Sequence, residues 1–272
     1  MSTETASERD LEELLGVALD VAREAGVLLL KGREGEVTAA ATKSSPTDVV
    51  TAMDAAAEDL IGRRLSERRP DDGLLAEEGS DRSGTSGVRW VVDPLDGTVN
   101  YLYRITHWCV SVAAEDERGA LVGVVHAPVL GMTWTGVRGQ GAYRDGRRLR
   151  CSEQTELAQA MCATGFGYEA SRRATQAAVL ARVIPHVRDI RRFGSAAIDL
   201  CHVAEGIVDV YYERGLNPWD LAAGALIARE AGVRVGGLDG RTADVELVVA
   251  TPPALWDPLT ALLDGDPRAD RD

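Results

Sequence analysis

Four short apolar runs follow one another between residues 108 and 150: Trp108–Ala114, Leu121–His126, Met132–Val137 and Ala142–Arg150. Each has strand length, and turn residues separate them. Asp145-Gly146 supplies a two-residue hairpin turn, because both residues tolerate the positive φ that such a turn requires. Together they predict neighbouring antiparallel strands. Helices precede them. Leu11, Leu14, Leu15, Ala18, Val21, Ala22, Ala25, Leu28 and Leu29 share one helical face, with Ser7 and Asp10 placed as a capping box. A short strand, Asp48–Thr51, leads into a second helix ending near Pro70, whose apolar face holds Met53, Ala57, Leu60, Ile61 and Leu65. Trp90-Val91-Val92 reads as a buried strand that stops at Asp93-Pro94, where proline ends ladder pairing.

After residue 150 the pattern changes to alternation. Cys162–Phe166, Val208–Glu213 and Glu246–Thr251 are strand candidates, and Ala174–Val187 and Ala254–Leu263 are helices. Ser195 caps a helix running to Gly206, and Asn217-Pro218 opens another that ends at Gly232. The expected class is α/β, with an α+β first half and an α/β second half. The expected division is a domain over residues 1–150, carrying most of the candidate metal ligands, and one over 151–272 that completes the site.

Composition narrows the function. The chain of 272 residues carries 30 basic and 43 acidic side chains, a net charge of −13. That argues against a nucleic-acid partner, which needs a basic face. A small phosphate substrate stays open if metal ions reverse the local field. Cys109, Cys151, Cys162 and Cys201 form no C-x-x-C pair and read as reduced thiols. The polar start is no signal peptide, and no apolar run approaches the ~20 residues of a membrane helix, so a cytoplasmic protein without a membrane partner is expected.

The chemistry concentrates in Trp90–Asn100. Asp93 and Asp96 stand three residues apart where a buried strand ends, with Pro94 fixing the backbone, Gly97 permitting a sharp turn and Thr98 adding a hydroxyl. Two anions so close repel, and a divalent cation removes that cost. Oxygen-only ligands suit Mg²⁺, Mn²⁺ or Ca²⁺ and not zinc. A helix starting at Gly97 would turn free amides towards a phosphate. The plainer reading is a solvated turn with an Asx cap. Glu77-Glu78 is surface charge by composition, or a metal ligand at Glu77 with Glu78 supporting it. Asp54 lies where a carboxylate compensates a helix dipole, and Lys43 is either a surface lysine or a neutraliser of site charge. Asp220, in the first turn of an apolar helix, is again a dipole partner or a third metal carboxylate. The four histidines lack zinc-ligand spacing, and no phosphate-binding glycine loop is present.

These segments resemble the inositol monophosphatase family. Three carry the match: Lys43-Ser44-Ser45-Pro46 with Asp48–Asp54, Trp90–Asn100, and Trp219–Gly224 continuing to Glu230-Ala231-Gly232. The resemblance spans about residues 10–263. It implies a layered αβαβα sandwich, usually homodimeric, and a Mg²⁺-dependent, lithium-sensitive phosphomonoesterase. It implies that Glu77, Asp93 and the Leu95 carbonyl bind a first metal, and Asp93, Asp96 and Asp220 a second. It also implies a third metal at Glu77, where Ala76 replaces the glycine that commonly precedes the two glutamates. Asp96, Gly97 and Thr98 are implied to hold the phosphate end, and Gly194, Ser195, Ala196 and Glu213 the sugar end. Asp54, Thr98 and Glu77 are implied to orient the attacking water.

Three readings follow. One is hydrolysis of inositol monophosphate or a similar small polyol phosphate. Another keeps the metals and changes the substrate to histidinol phosphate, fructose 1,6-bisphosphate or 3′-phosphoadenosine 5′-phosphate. The third is a protein-binding role in transcription or RNA handling, which loss of a motif carboxylate would favour; none is missing.

Overall fold

The computed structural model describes residues 8–34, 39–42 and 49–264. Ser7, Lys43 and Asp48, which carry parts of the expected cap, site and strand, lie outside them.

The chain begins with α1 (Glu8–Glu34), whose acidic first turn and basic last turn both complement the helix dipole. A small ribbon, β1 (Ala39–Thr42) with β2 (Val49–Thr51), leads into α2 (Ala52–Arg68). Then come β3 (Gly73–Ala76), β4 (Asp81–Arg82), β5 (Arg89–Asp96) and the short helix α3 (Thr98–Leu102). The expected meander follows as β6 (Cys109–Asp116), β7 (Gly119–Ala127), β8 (Met132–Val137), β9 (Gly141–Arg144) and β10 (Arg147–Arg148). Asp145 and Gly146 take φ of 49° and 82° in the turn between β9 and β10, as the sequence predicts. These strands form an eight-stranded sheet ordered β10-β9-β8-β7-β6-β5-β3-β4. It is antiparallel except where β3 runs parallel to β5.

The second half contributes β11 (Met161–Thr164), α4 (Ala170–Val183), β12 (Asp189–Arg191), α5 (Ala196–Glu205), β13 (Val210–Glu213), α6 (Pro218–Glu230), β14 (Arg234–Gly236), β15 (Val248–Thr251) and α7 (Trp256–Leu263). Its sheet is ordered β12-β11-β13-β15-β14, parallel at β12-β11-β13 and antiparallel at β15. Two short strands, β12 and β14, went unread because three residues carry too little alternation to register. The helix expected from Ala174 begins four residues earlier at Ala170 and ends at Val183, ahead of a 3-10 turn containing Pro185.

Period-two alternation sorts each strand between layers. Val110, Val112 and Ala114 of β6 join the core under α1 and α2, whereas Cys109 and Ala113 join the core on the other face. Tyr211 and its neighbours Val210 and Tyr212 divide the same way across the second sheet. The layers are therefore α1/α2, the large sheet, α5/α6, the small sheet and α4/α7: the expected αβαβα sandwich. The central helix α6 is buried almost all round, as its apolar and small residues require. It lies close on the large sheet because Gly123 and Gly136 leave room. A Cβ at Gly123 would stand 2.9 Å from the Ala223 Cα, and one at Gly136 would stand 3.0 Å from the Ile227 Cα. Among the described residues no helix is long and apolar enough to cross a membrane.

Candidate active site

The strand expected to stop at Asp93-Pro94 continues to Asp96, and the reason bears on function. Asp93 pairs with Ser111 and Asp96 with Cys109, so the register slips by one residue between β5 and β6. Residues three apart on a regular strand point to opposite faces. The bulge restores Asp93 and Asp96 to one side, and it accommodates Pro94, which has no amide to give the ladder. Asp220 arrives from the first turn of α6, where its Oδ2 accepts the Asn217 amide at 2.6 Å. Carboxylate oxygens of Asp93, Asp96 and Asp220 all lie within 4.8 Å of one another.

Burial, and then the charges of Glu77, Asp96 and Asp220, push the Asp93 carboxyl well above its usual range. Burial and the charges of Asp96 and Glu77 do the same to Asp220. Asp96 is pushed up less, to about 6, because hydrogen bonds offset part of the desolvation. Its Oδ2 accepts the Ser195 hydroxyl at 2.7 Å and the Ala197 amide at 2.8 Å, so it sits on the start of α5. A trio of mutually repelling carboxylates, two buried and the third half-buried, is stabilised by a cation. The donor set is oxygen; the Cys109 Sγ, 3.9 Å from Asp96, is held as a neutral thiol by burial. These residues fit Mg²⁺, Mn²⁺ or Ca²⁺.

Asp54 is buried at the start of α2 and closes a capping box with Thr51. That accounts for the dipole reading of this residue, and its other oxygen bonds a residue of the cavity wall. Oδ1 accepts the Thr98 hydroxyl at 2.9 Å, while Thr98 Oγ1 lies 3.1 Å from the Leu95 carbonyl. Burial raises the Asp54 pKa, and the threonine hydrogen bonds lower it. Gly97, at φ 95°, makes the sharp turn into α3. Glu77 lines the same cavity, outside the close trio, and its charge bears on Asp93. A residue unnoticed in the sequence fixes this loop. Glu58, buried one turn after Asp54, accepts the amides of Glu78 at 2.7 Å and Ser80 at 2.8 Å. The signal was present: two acids four apart, sharing the face of Ala57 and Ile61.

The carboxylates open into a cavity of about 470 Å³ whose far wall holds Gly194, Ala196 and Glu213. Ser195 also reaches this wall, but its side chain is committed to the fold: it donates to Asp96 and accepts the Ile198 amide as the α5 cap. Glu213 accepts the Tyr211 hydroxyl at 2.7 Å, and burial raises its pKa to about 7. Gly165 makes room for it, since a Cβ there would occupy the space of the Glu213 carboxylate. Asn100 ties the two walls, donating to the His107 carbonyl at 2.6 Å and the Phe193 carbonyl at 2.7 Å.

The inositol monophosphatase family profile matches residues 10–263. The chain is 42% identical to an inositol-1-monophosphatase of Mycobacterium leprae, over 95% of this chain and 96% of that one. It is 39% identical to the Nus factor SuhB of Escherichia coli K12, over 85% and 87%. The crystal structure of the extragenic suppressor protein suhB from Bartonella henselae is similar, with a TM-score of 0.86 and 35% identity over 93% of this chain and 99% of that one. Sequence, layering and relatives agree: this chain belongs to the inositol monophosphatase family.

Proposed function

We propose that the protein is a Mg²⁺-dependent phosphomonoesterase that hydrolyses inositol monophosphate or a similar small polyol phosphate. One observation carries this reading: carboxylate oxygens of buried Asp93 and Asp96 and half-buried Asp220, within 4.8 Å of one another, open into a cavity beside the Thr98–Asp54 pair. Glu77, Asp93, the Leu95 carbonyl, Asp96 and Asp220 would hold the ions. Bound Mg²⁺ ions neutralise the carboxylates and the phosphate and make water more acidic near neutral pH.

The chain's own groups do the rest. The Gly97 and Thr98 amides receive the phosphate at the turn into α3. The Thr98 hydroxyl donates its hydrogen bond to Asp54, so its oxygen lone pairs accept a proton from the attacking water. Burial leaves Asp54 more basic than an exposed aspartate, which suits that relay. Glu77 orients the same water. Attack in line with the leaving oxygen then needs no nucleophilic serine or cysteine. At the other end Glu213 accepts leaving-group hydroxyls, with Gly194, Ser195 and Ala196 shaping the wall. Lys43 and Glu78 would support the site charge. In this reading residues 1–150 and 151–272 act as two domains meeting at the cavity of a cytoplasmic homodimer.

A second reading rests on the relatives named Nus factor SuhB: a protein-binding role in transcription. The net charge of −13 favours a protein over RNA as such a partner. Phosphate release from a panel of phosphomonoesters, with Mg²⁺, with EDTA and with added Li⁺, separates the two. Mg²⁺-dependent, Li⁺-inhibited release greatest for inositol 1-phosphate supports the first. No release from any compound, by folded protein that binds Mg²⁺, refutes it.

A further inference from the structure

The parallel ladder between β11 and β13 stops at the Thr164–Tyr212 pair, one residue short of Glu213. Beyond that pair a void of about 10 Å³ opens between the two chains, with Thr164, Gly165, Gln176, Val179, Glu213 and Arg214 among its walls. Both chains then enter the wall of the larger cavity, as Gly165–Gly167 on one side and Glu213–Leu216 on the other. The side-chain amide of Gln176 bridges them. Its Oε1 accepts the Gly167 amide at 2.8 Å, and its Nε2 donates to the Arg214 carbonyl at 3.3 Å. A backbone donor beyond β11 and a backbone acceptor beyond β13 are thus joined through one side chain, like an inserted rung.

The place of Gln176 in its helix sharpens the point. It shares the inward face of α4 with Val179 and Val183, which are the other buried residues of that helix. It is only 7% exposed. An amide in that row costs desolvation and side-chain entropy that a small apolar residue would not. Such a local conflict is of the kind that marks a functional position. The consequence falls on Glu213. Both carbonyls flanking it are held by side chains, Tyr212 O by the Thr164 hydroxyl at 2.8 Å and Arg214 O by Gln176. Its carboxylate is held by the Tyr211 hydroxyl, in space that Gly165 leaves open. Through Gln176 the Glu213 backbone is also tied to the facing loop at Gly167.

We propose that Gln176 is a positioning residue that gives the site its selectivity for polyol leaving groups, by fixing the separation of the Gly167 and Arg214 segments from which Glu213 meets a ring hydroxyl. It acts through Glu213 and leaves the reaction at phosphorus unchanged. This inference rests on the phosphatase reading above.

The test compares inositol 1-phosphate with 4-nitrophenyl phosphate, whose ring carries no hydroxyl. The readout is the ratio of their kcat/KM values at saturating Mg²⁺. Gln176→Met keeps an unbranched side chain of similar length on the buried face and removes both hydrogen bonds. It lowers the ratio roughly ten-fold, the low end for losing a hydrogen bond to a charged group. The loss lies in KM for inositol 1-phosphate, with kcat and Mg²⁺ half-saturation little changed. Gln176→Glu keeps the acceptor for the Gly167 amide, so its ratio lies between the two. It decides the question by the same ratio where Gln176→Met does not fold. Val179→Ala is the control, because it trims the same void from the same helix face without touching a hydrogen bond. It lowers Tm and leaves the ratio at the wild-type value. Turnover of both substrates with an unchanged ratio in Gln176→Met overturns the inference and leaves the phosphatase reading intact, as does an equal fall in Val179→Ala. No turnover of either substrate by the wild type overturns both.

Discussion

Asp93→Asn separates electrostatic cost from catalytic use. Asp93 belongs to a trio of carboxylates whose oxygens lie within 4.8 Å of one another. At that separation and an effective dielectric of about 20, each like-charge pair costs roughly 3–4 kcal/mol. Protonation caps the cost, because burial and neighbouring charge push Asp93 and Asp220 well above the ordinary carboxylate range. The sign follows from linkage. Each group's folded pKa exceeds its unfolded value, so the unfolded chain loses its protons first as pH rises. Stability is then greatest below the unfolded value of 3.8 and falls through the window up to the raised folded value. For Asp96 alone, the rise from 3.8 to about 6 amounts to about 3 kcal/mol by neutral pH. The neutral amide in Asp93→Asn removes a comparable share. Without metal near pH 8, Asp93→Asn raises Tm by roughly 6–12 °C, taking about 2–4 °C per kcal/mol, and the gap closes near pH 4. Saturating Mg²⁺ stabilises the wild type and little affects the variant, and phosphate release is lost. Thermal melts across pH in EDTA and in Mg²⁺, with turnover, read all of this. A folded variant that melts at or below the wild type in EDTA near pH 8 refutes the electrostatic reasoning. Near-normal turnover refutes the metal assignment.

Ser195→Ala loses the α5 cap and one donor to Asp96, which costs about 1–2 kcal/mol and shifts Mg²⁺ half-saturation upward roughly 10–100-fold. Melts and a Mg²⁺ titration of turnover check it. Glu58→Gln keeps one acceptor for two amides and loses about 1.5–3 kcal/mol, with faster hydrogen exchange at Glu78 and Ser80 than at the α5 amides. Glu213 titrates at about 7, so KM for a polyol phosphate rises as pH falls through that value; Glu213→Gln flattens the profile and spares substrates without ring hydroxyls. Gly123→Ala pushes α6 off the sheet at a cost of about 1–3 kcal/mol, and it weakens Mg²⁺ activation through Asp220 without changing any charge. An unchanged Mg²⁺ titration in that variant would separate packing from site geometry.

The elements that the sequence made legible are those whose signal is local. The meander from β6 to β10 was readable because alternation and the Asp145-Gly146 turn agree, and α6 because Asn217-Pro218 and Gly232 mark both ends. β12 and β14 were not, since three residues supported mainly by neighbouring strands carry no period of their own. The site divides the same way. Asp93, Asp96 and Asp220 stand in strings where each residue has a separate physical use.

What Glu58 and Ser195 hold in place was not legible, for a reason that packing explains. Glu58 acts on amides twenty and more positions away, and Ser195 acts on a carboxylate ninety-nine positions away. The local pattern marks Glu58 as a face-sharing acid and Ser195 as a cap, but nothing in the chain names their distant partners. Proline was the misleading residue. Pro94 normally ends a strand, yet here it sits in the bulge that allows β5 to continue. The bulge does what neither regular strand nor free turn would do. It breaks the period-two rule once, at the position where two aspartates three apart must share a face. The rule that failed to predict the strand's end is therefore the rule whose violation builds the candidate site.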